Sequence, residues 1–204
     1  MEIIVDGRCR RLEKMPETVG GLLDLLKESV KADQRVVMAV RLNGEELDIQ
    51  AQQRIAPQRP CELASVEIET ADARALCVAT LEEAARHIQP LVDECGRIGE
   101  LIDAGRREES LSRIVPCLEV WSTLIAAVQK VAILLELDLK EVVAEDSTLA
   151  EVVMRLAEVL RALTADIDAG DFVAVRDAMK YEMPEVAGKL DSHLEALSSA
   201  VSAS

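Results

Sequence analysis

A change in the spacing of apolar residues near residue 70 constrains the fold of this chain more than any other feature. Before this point, apolar and polar positions alternate in short runs such as Arg35–Leu42, which is the two-residue period of a β-strand. After it, apolar residues recur every three to four positions almost to the last residue, which is the period of an amphipathic helix. The sequence therefore predicts an α+β protein with a β-containing domain over residues 1–70 and a helical domain over residues 71–204.

The first domain contains signals for four strands and one helix. The predicted strands are Met1–Val5, about Cys9–Glu13, Arg35–Leu42 and Cys61–Glu69. Asp6-Gly7 and Asn43-Gly44 are typical of two-residue hairpin turns. Thr18 is the predicted N-cap of an amphipathic helix that ends near Val30. Gln50–Pro60 is polar and is predicted as a loop.

Strand, strand, helix, strand, loop, strand is the element order of a β-grasp, and the residues also resemble a family. The resemblance lies in Ile4-Val5-Asp6-Gly7, in Glu17-Thr18-Val19 with Leu22-Leu23, in Arg35-Val36-Val37 through Val40 to Asn43-Gly44-Glu45, and in Val66-Glu67-Ile68. These segments resemble the small sulfur-carrier proteins of thiamin biosynthesis. The resemblance covers about a third of the chain and implies a ubiquitin-like β-grasp domain at its N-terminal end.

The chain departs from that family after Ile68. In the family a free terminal Gly-Gly follows the last strand, and its carboxylate is adenylated and thiolated. Here the chain reads Glu69-Thr70-Ala71-Asp72 and continues for more than a hundred residues. Because that chemistry needs a flexible free carboxyl end, the expected fold stands while the sulfur-carrier reaction is excluded.

The helical domain shows four apolar stripes, which predict an antiparallel four-helix bundle. The first predicted helix is Ala71–Ala104, and Ser147 is the predicted N-cap of the third. Ile102-Asp103-Ala104-Gly105 and Ile167-Asp168-Ala169-Gly170 are matching turns, each with a glycine C-cap. Two helical hairpins related by duplication and a coincidence of turn chemistry both explain this match.

Three prolines interrupt the apolar stripes. Pro90, Pro116 and Pro184 each remove a backbone donor, so each is predicted to kink or break its helix. One interpretation is an irregularity of packing, and the other is a splayed bundle with a groove for a partner helix. The segment Asp171–Pro184 looks like a motif of uncharacterised bacterial helical proteins, some with suspected links to flagellar or secretion systems.

Composition narrows the classes of partner and compartment. The net charge is −15, and 25 of the 38 acidic side chains lie in residues 71–204, which argues against nucleic acid or anionic lipid as a partner. Five widely spaced cysteines favour free, buried thiols in a reducing compartment over a disulfide framework. The charged N-terminal strand does not resemble a signal peptide, and no apolar run reaches the roughly 18 residues that a membrane helix needs. These features predict a cytoplasmic protein without membrane partners.

No set of residues predicts catalysis, a cofactor or a metal. His87 and His193 do not form the Glu-x-x-His pairs of a di-metal bundle, and the cysteines have no neighbouring base in the sequence. Aromatic and kink-flanking residues instead favour recognition of another protein. The candidate partner-binding residues are Trp121, Phe172, Met179, Tyr181, Glu182 and Pro184.

The leading hypothesis is a non-enzymatic, chaperone-like adaptor that binds a helical client, in its most specific form a flagellar or secreted protein. One alternative is a degenerate sulfur-transfer or metabolite-binding protein that uses the β-grasp domain and a thiol such as Cys9 or Cys61. The other alternative is a self-associating scaffold, a homo-oligomer whose bundle pairs only with itself.

Overall fold

The computed structural model describes residues 1–12 and 14–203 and is an α+β protein in which helix predominates. The chain divides into two compact units between Leu76 and Cys77, inside a long helix. Each unit has its own hydrophobic core.

The first unit is a five-stranded mixed sheet with one helix against it. The strands are β1 Glu2–Val5, β2 Arg8–Cys9, β3 Arg35–Leu42, β4 Glu45–Glu46 and β5 Ser65–Asp72, in the order β2-β1-β5-β3-β4. Central β1 and β5 are parallel, and the other pairs are antiparallel. Helix α1, Val19–Ala32, buries Leu22, Leu23 and Leu26 against Ile68 and the other inward residues of the sheet.

The turn residues of this unit act as the sequence predicts. Asp6 and Gly7 have φ values of 50° and 74°, and Asn43 and Gly44 have 52° and 84°. Both dipeptides therefore occupy the left-handed region that a type I′ hairpin requires at its two central positions. Thr18 caps α1, and its side chain accepts a hydrogen bond from the Gly21 N–H at 3.1 Å.

Three predictions for the first unit are corrected. The predicted loop contains helix α2, Ile49–Ile55, because the Asp48 side chain accepts from the Ala51 N–H as an N-cap. The last strand begins at Ser65 rather than Cys61, since Pro60–Glu62 form a 3₁₀ turn. The second strand covers only Arg8–Cys9, and Glu13 lies outside the described residues.

The second unit consists of long helices around one aliphatic core. Its helices are α3 Ala73–Asp103, which begins in the first unit, α4 Arg107–Leu134, α5 Leu149–Ala169, α6 Phe172–Asp177 and α7 Met183–Ala203. A short hairpin, β6 Val143–Ala144 with β7 Ser147–Thr148, precedes α5, and a π-helical turn, Ala178–Glu182, joins α6 to α7. The core includes Leu81, Ile98, Trp121, Leu156 and Leu194.

Helix ends in this unit also differ from the prediction in part. Ala71 and Asp72 belong to β5, so α3 begins two residues later than predicted. Thr148, not Ser147, is the N-cap of α5, because Thr148 and Glu151 form a reciprocal capping box. Both Ser147 and Thr148 pair within the short hairpin, so the position of Glu151 decides which of them caps α5.

The three prolines have different surroundings. Pro90 and Pro116 lie within continuous helices. Of the two predicted outcomes, a kink or a break, the break therefore does not occur at either proline. Pro184 follows the π-helical turn, in which the Met183 N–H donates to the Ala178 carbonyl five residues back. A proline lacks the N–H that would bond to the carbonyl four residues before it, which favours this wider turn.

The two matching turns have the same backbone structure. Gly105 and Gly170 have φ values of 72° and 74°, and the residue after each donates its N–H to the carbonyl five positions earlier. These are the bonds of a Schellman C-cap, so both predicted glycine caps are confirmed. The turns reverse the chain after α3 and after α5.

Candidate partner-binding surface

Helix α4 carries an exposed face that contains almost no charge. Between Ile114 and Leu134 only Glu119 and Lys130 are charged. The buried side of this segment includes Trp121 and Val128, while Val115 and Ile133 on the opposite side are 57% and 78% exposed. We define Val115, Ser122, Ala126 and Ile133, which lie on one side at spacings of seven, four and seven, as the α4 face, and the exposed Glu119 and Lys130 border it.

A groove between α4 and α5 adjoins this face. It has a volume of about 580 Å³ and is lined by Ser122, Ile125, Ala157, Leu160, Arg161, Thr164, Ala165 and Asp168. Most of these side chains are small or aliphatic, and the two charges have opposite signs. Small side chains permit the backbone of a third helix to approach closely, so the α4–α5 groove has the composition of a helix-binding site.

Helix α4 corrects the expectation that no segment matches the length and composition of a membrane helix. Its 28 residues include an 18-residue apolar window with few charges, and 33% of this window is buried. The core helix of a soluble protein satisfies the same criterion, and α4 contributes Ile114, Trp121 and Val128 to the shared core. The rest of this window is half-buried or exposed.

Two of the candidate binding residues predicted from sequence lie inside the protein. Trp121 and Met179 are both 0% exposed, so a partner reaches them only if the helices separate. The sequence signal was aromatic or sulfur-containing character, which is shared by core and interface residues. The indole N–H of Trp121 is buried and makes no hydrogen bond of ordinary geometry.

The other candidates are accessible but lie apart from the α4–α5 groove lining. Tyr181 is 68% exposed, Glu182 is exposed, and Pro184 is half-buried. Phe172 is half-buried and packs beneath the Arg107 guanidinium, whose Cζ lies 5.0 Å from the ring centroid. Such a stacked cation shields the ring on one side and stabilises the start of α6.

Glu182 belongs to a second, smaller cleft. This cleft of about 250 Å³ lies between α5 and α7 and is lined by Ser147, Glu151, Val152, Arg155, Glu182, Glu185, Val186 and Lys189. Arg155 binds Glu182 at 2.8 Å, and Lys189 binds Glu185 at 2.9 Å. The hydrogen bond from Lys189 lowers the pKa of the Glu185 carboxyl. Because both pairs are internally neutralised, the cleft has no strong preference for a charged ligand.

His193 lies near the middle of α7 and is buried. Its ring is 0% exposed, with Nδ1 2.6 Å from the Lys189 carbonyl and Nε2 2.9 Å from the Ser147 carbonyl. The contact with Ser147 attaches the β6–β7 hairpin to α7. His87 is exposed and pairs with Glu83 at 3.1 Å. Among residues 1–12 and 14–203, no group of three metal-ligating side chains is close enough to hold an ion.

The first unit offers an open cleft of about 750 Å³ between α1, β3 and α2. Lys27, Met38, Ile49 and Gln52 are among its lining residues, and Met38 lies where a bulge interrupts the β3–β5 pairing.

The exposed Cys9 thiol lies outside this cleft lining. It donates a hydrogen bond to the Glu2 carboxylate at 3.0 Å, which raises the pKa of Cys9. A raised thiol pKa lowers the fraction of the reactive thiolate at neutral pH.

The sequence analysis missed the α4 face and the α4–α5 groove. A usable signal was present in the sequence, because Ile114–Leu134 contains more apolar residues than a single buried stripe of a helix requires.

Comparison of the chain with protein-family models, with curated proteins and with solved structures finds no match.

Proposed function

We propose that this protein is a non-enzymatic binding protein that holds an amphipathic helix of another protein in the α4–α5 groove. The observation that carries the proposal is the sparsely charged α4 face beside that groove, with Val115 and Ile133 more than half exposed and only Glu119 and Lys130 charged between Ile114 and Leu134. Burying one such aliphatic side chain stabilises a complex by about 1.5–3 kcal/mol. A partner helix with apolar residues at positions i, i+3, i+4 and i+7 matches this surface.

The partner that we infer is a different protein rather than a second copy. The chain has a net charge of −15, so two copies repel each other over the distances at which they meet. A client whose helix carries Lys or Arg on its flanks is attracted by the same charge. Following the resemblance of residues 171–184, we propose a bacterial cytoplasmic adaptor or chaperone whose client is a flagellar or secreted helical protein.

The proposal includes a specific identity for each unit. We propose that the first unit is a ubiquitin-like β-grasp domain, supported by the strand order β2-β1-β5-β3-β4 with β1 and β5 parallel. We propose that the second unit is an antiparallel four-helix bundle of α3, α4, α5 and the α6–α7 segment. Its support is the shared core and the two reversing glycine turns.

A pair of matched substitutions tests the site. Ala165 lines the groove, whereas Ala162 is exposed on the same helix outside the groove lining. Ala165→Glu places a carboxylate where the partner's apolar side chains would be buried, and we expect binding to weaken at least tenfold, about 1.4 kcal/mol. Ala162→Glu adds the same charge and is expected to change binding less than twofold.

The probe is a fluorescent synthetic helix with a Leu stripe and Lys flanks, titrated into the full-length chain and followed by anisotropy. A scrambled peptide of the same composition is the control for charge alone. Binding by the wild type and Ala162→Glu, with loss in Ala165→Glu, supports the proposal. Equal binding by all three proteins, or equal binding of the scrambled peptide, overturns it.

Sedimentation equilibrium of the same proteins tests the scaffold alternative. We expect the wild type to be a monomer. A wild-type dimer that Ala165→Glu dissociates would contradict the adaptor hypothesis and support the self-associating scaffold.

Co-sedimentation with neutral lipid vesicles tests whether the α4 face binds a bilayer instead. The hydrogen bond from the Cys9 thiol to Glu2, which raises the pKa of Cys9, argues against Cys9 as the carrier in the sulfur-transfer alternative and does not bear on Cys61.

A further inference from the structure

Two thiols from different helices meet in the core of the second unit. Cys95 on α3 and Cys117 on α4 have their Sγ atoms 3.8 Å apart, and their side chains are 0% and 3% exposed. A disulfide has an S–S distance of about 2.05 Å, so the sulfurs must approach by roughly 1.8 Å. Rotations about the two Cα–Cβ bonds move the sulfurs by distances of this order.

The two thiols differ in reactivity. The hydrogen bond from Cys117 lowers the pKa of Cys95, while the same bond and burial raise the pKa of Cys117. Thiolate is the reactive form, and either sulfur can donate in this pair, so the thiol that accepts the bond is the nucleophile; with Cys117 as the donor it is Cys95. Cys117 already lies in contact with the sulfur that it would attack.

Trp121 provides a second, independent feature at this place. Its Nε1–H is the buried polar side-chain group that lacks a hydrogen-bond partner within the described chain. Trp121 lies four residues after Cys117 on the buried side of α4, and the indole lowers the pKa of both thiols. An N–H group directed at sulfur stabilises a thiolate more than a neutral thiol, because the donor interacts best with the charged form.

We propose that Cys95 and Cys117 form a peroxide-oxidisable dithiol that closes to a disulfide between α3 and α4. The inference is independent of the proposed partner-binding function. The oxidant is hydrogen peroxide, which is close to water in size and so able to enter through small fluctuations of the helices. The disulfide links residues that are 22 positions apart and constrains the unfolded chain.

The reaction has two steps. The Cys95 thiolate attacks one peroxide oxygen, the O–O bond breaks, and the departing hydroxide takes a proton to form water, leaving a sulfenic acid. The Cys117 sulfur then attacks Cys95 Sγ, the S–O bond breaks, and the second hydroxide leaves as water with the thiol proton. In sum, two thiols lose two electrons and two protons, and one peroxide is reduced to two waters.

The test treats the reduced full-length chain with stoichiometric hydrogen peroxide and maps the products by mass spectrometry. Trypsin releases Cys95 and Cys117 in separate peptides, since Arg97 and Arg113 lie between them. We expect these peptides to be joined, with a loss of two hydrogen atoms. We also expect the oxidised chain to unfold at a higher denaturant concentration and to fluoresce less, because Trp121 is the single tryptophan and disulfides quench indole emission.

Three variants separate this reaction from general oxidation. Cys77 is buried in the same core but is not paired with a sulfur, so Cys77→Ala should form the disulfide at the wild-type rate. Cys117→Ala and Cys95→Ala each leave a single thiol at this place, so neither variant should form the disulfide, and dimedone traps any sulfenic acid that forms on the remaining cysteine. Wild-type chain in which Cys9 or Cys61 is oxidised while Cys95 and Cys117 stay thiols would overturn the proposal, whether or not the variants fold.

Discussion

At the scale of single residues, His193 shows how one buried polar side chain connects separate parts of the helical unit. Its two ring nitrogens lie within hydrogen-bond distance of the Lys189 and Ser147 carbonyls, and no part of the ring is exposed. A carbonyl oxygen that loses its donor inside a protein keeps the cost of its lost hydration. His193 therefore stabilises both the last helix and the β6–β7 hairpin.

We predict that His193→Ala lowers the free energy of unfolding by about 2–4 kcal/mol, through the lost hydrogen bonds and the cavity that remains. Urea unfolding followed by Trp121 fluorescence measures this change, because the single tryptophan lies in the same unit. The second histidine is the matched control. His87 is exposed, and His87→Ala is expected to stay within about 0.5 kcal/mol of wild type. Equal effects of the two substitutions would contradict the role assigned to His193.

At the scale of elements, the π-helical turn brings Lys180 onto α3. Lys180 forms an ion pair with Asp103, and its side chain covers Gly99 so closely that an added Cβ would lie 2.6 Å from Lys180 Cγ. The hydrogen bond from Lys180 lowers the pKa of the Asp103 carboxyl. Gly96, one turn earlier, has no atom within 4 Å of an added Cβ.

Two glycine substitutions in α3 should therefore act in opposite directions. Gly96→Ala is expected to stabilise the protein by about 0.5–1 kcal/mol, because alanine has the higher helix propensity. Gly99→Ala is expected to destabilise it by about 1–2 kcal/mol, since Lys180 must leave its position. Differential scanning calorimetry compares both with wild type. In the background Lys180→Ala the penalty at Gly99 should disappear, and a penalty that persists would assign the clash to another group.

At the scale of the whole molecule, carboxylates with lowered pKa values occur in both units. These groups and their first contributors are Asp6 with Thr70, Asp103 with Lys180, Glu151 with Thr148, and Glu185 with Lys189. Each folded-state pKa lies below the ordinary value, which is 3.8 for Asp and 4.5 for Glu. Their stabilising contribution is therefore complete above the ordinary values and is lost as the pH falls through the lowered ones.

We predict that the urea midpoint falls as the pH drops below about 4.5. The measurement should be made at about 0.15 M salt, which screens the repulsion arising from the net charge of −15. Asp103→Asn removes one of these carboxylates and should make the acid decline shallower. A midpoint that rises on acidification would show that relief of charge repulsion outweighs the lost ion pairs and hydrogen bonds.

Local signals were sufficient where a residue's own backbone determined the outcome. Asn43-Gly44 and Asp6-Gly7 predicted the hairpins, and Gly105 and Gly170 predicted the helix ends, because a positive φ is accessible to few residue types. Adjacent alternatives were harder to separate. Ser147 and Thr148 are both good N-caps and both pair in the hairpin, and Thr148 caps α5 because Glu151, three residues later, completes its capping box.

The sequence by itself determined the α+β class, the change from strand to helix near residue 70 and most turns, since these depend on periodicity and on local backbone preferences. Only the tertiary structure decided which apolar residues are covered. It buried Trp121 and Met179, exposed Val115 and Ile133, and brought Cys95 beside Cys117. Burial and contact depend on which helix face meets which neighbour, and that information is distributed over the whole chain rather than carried by any one residue.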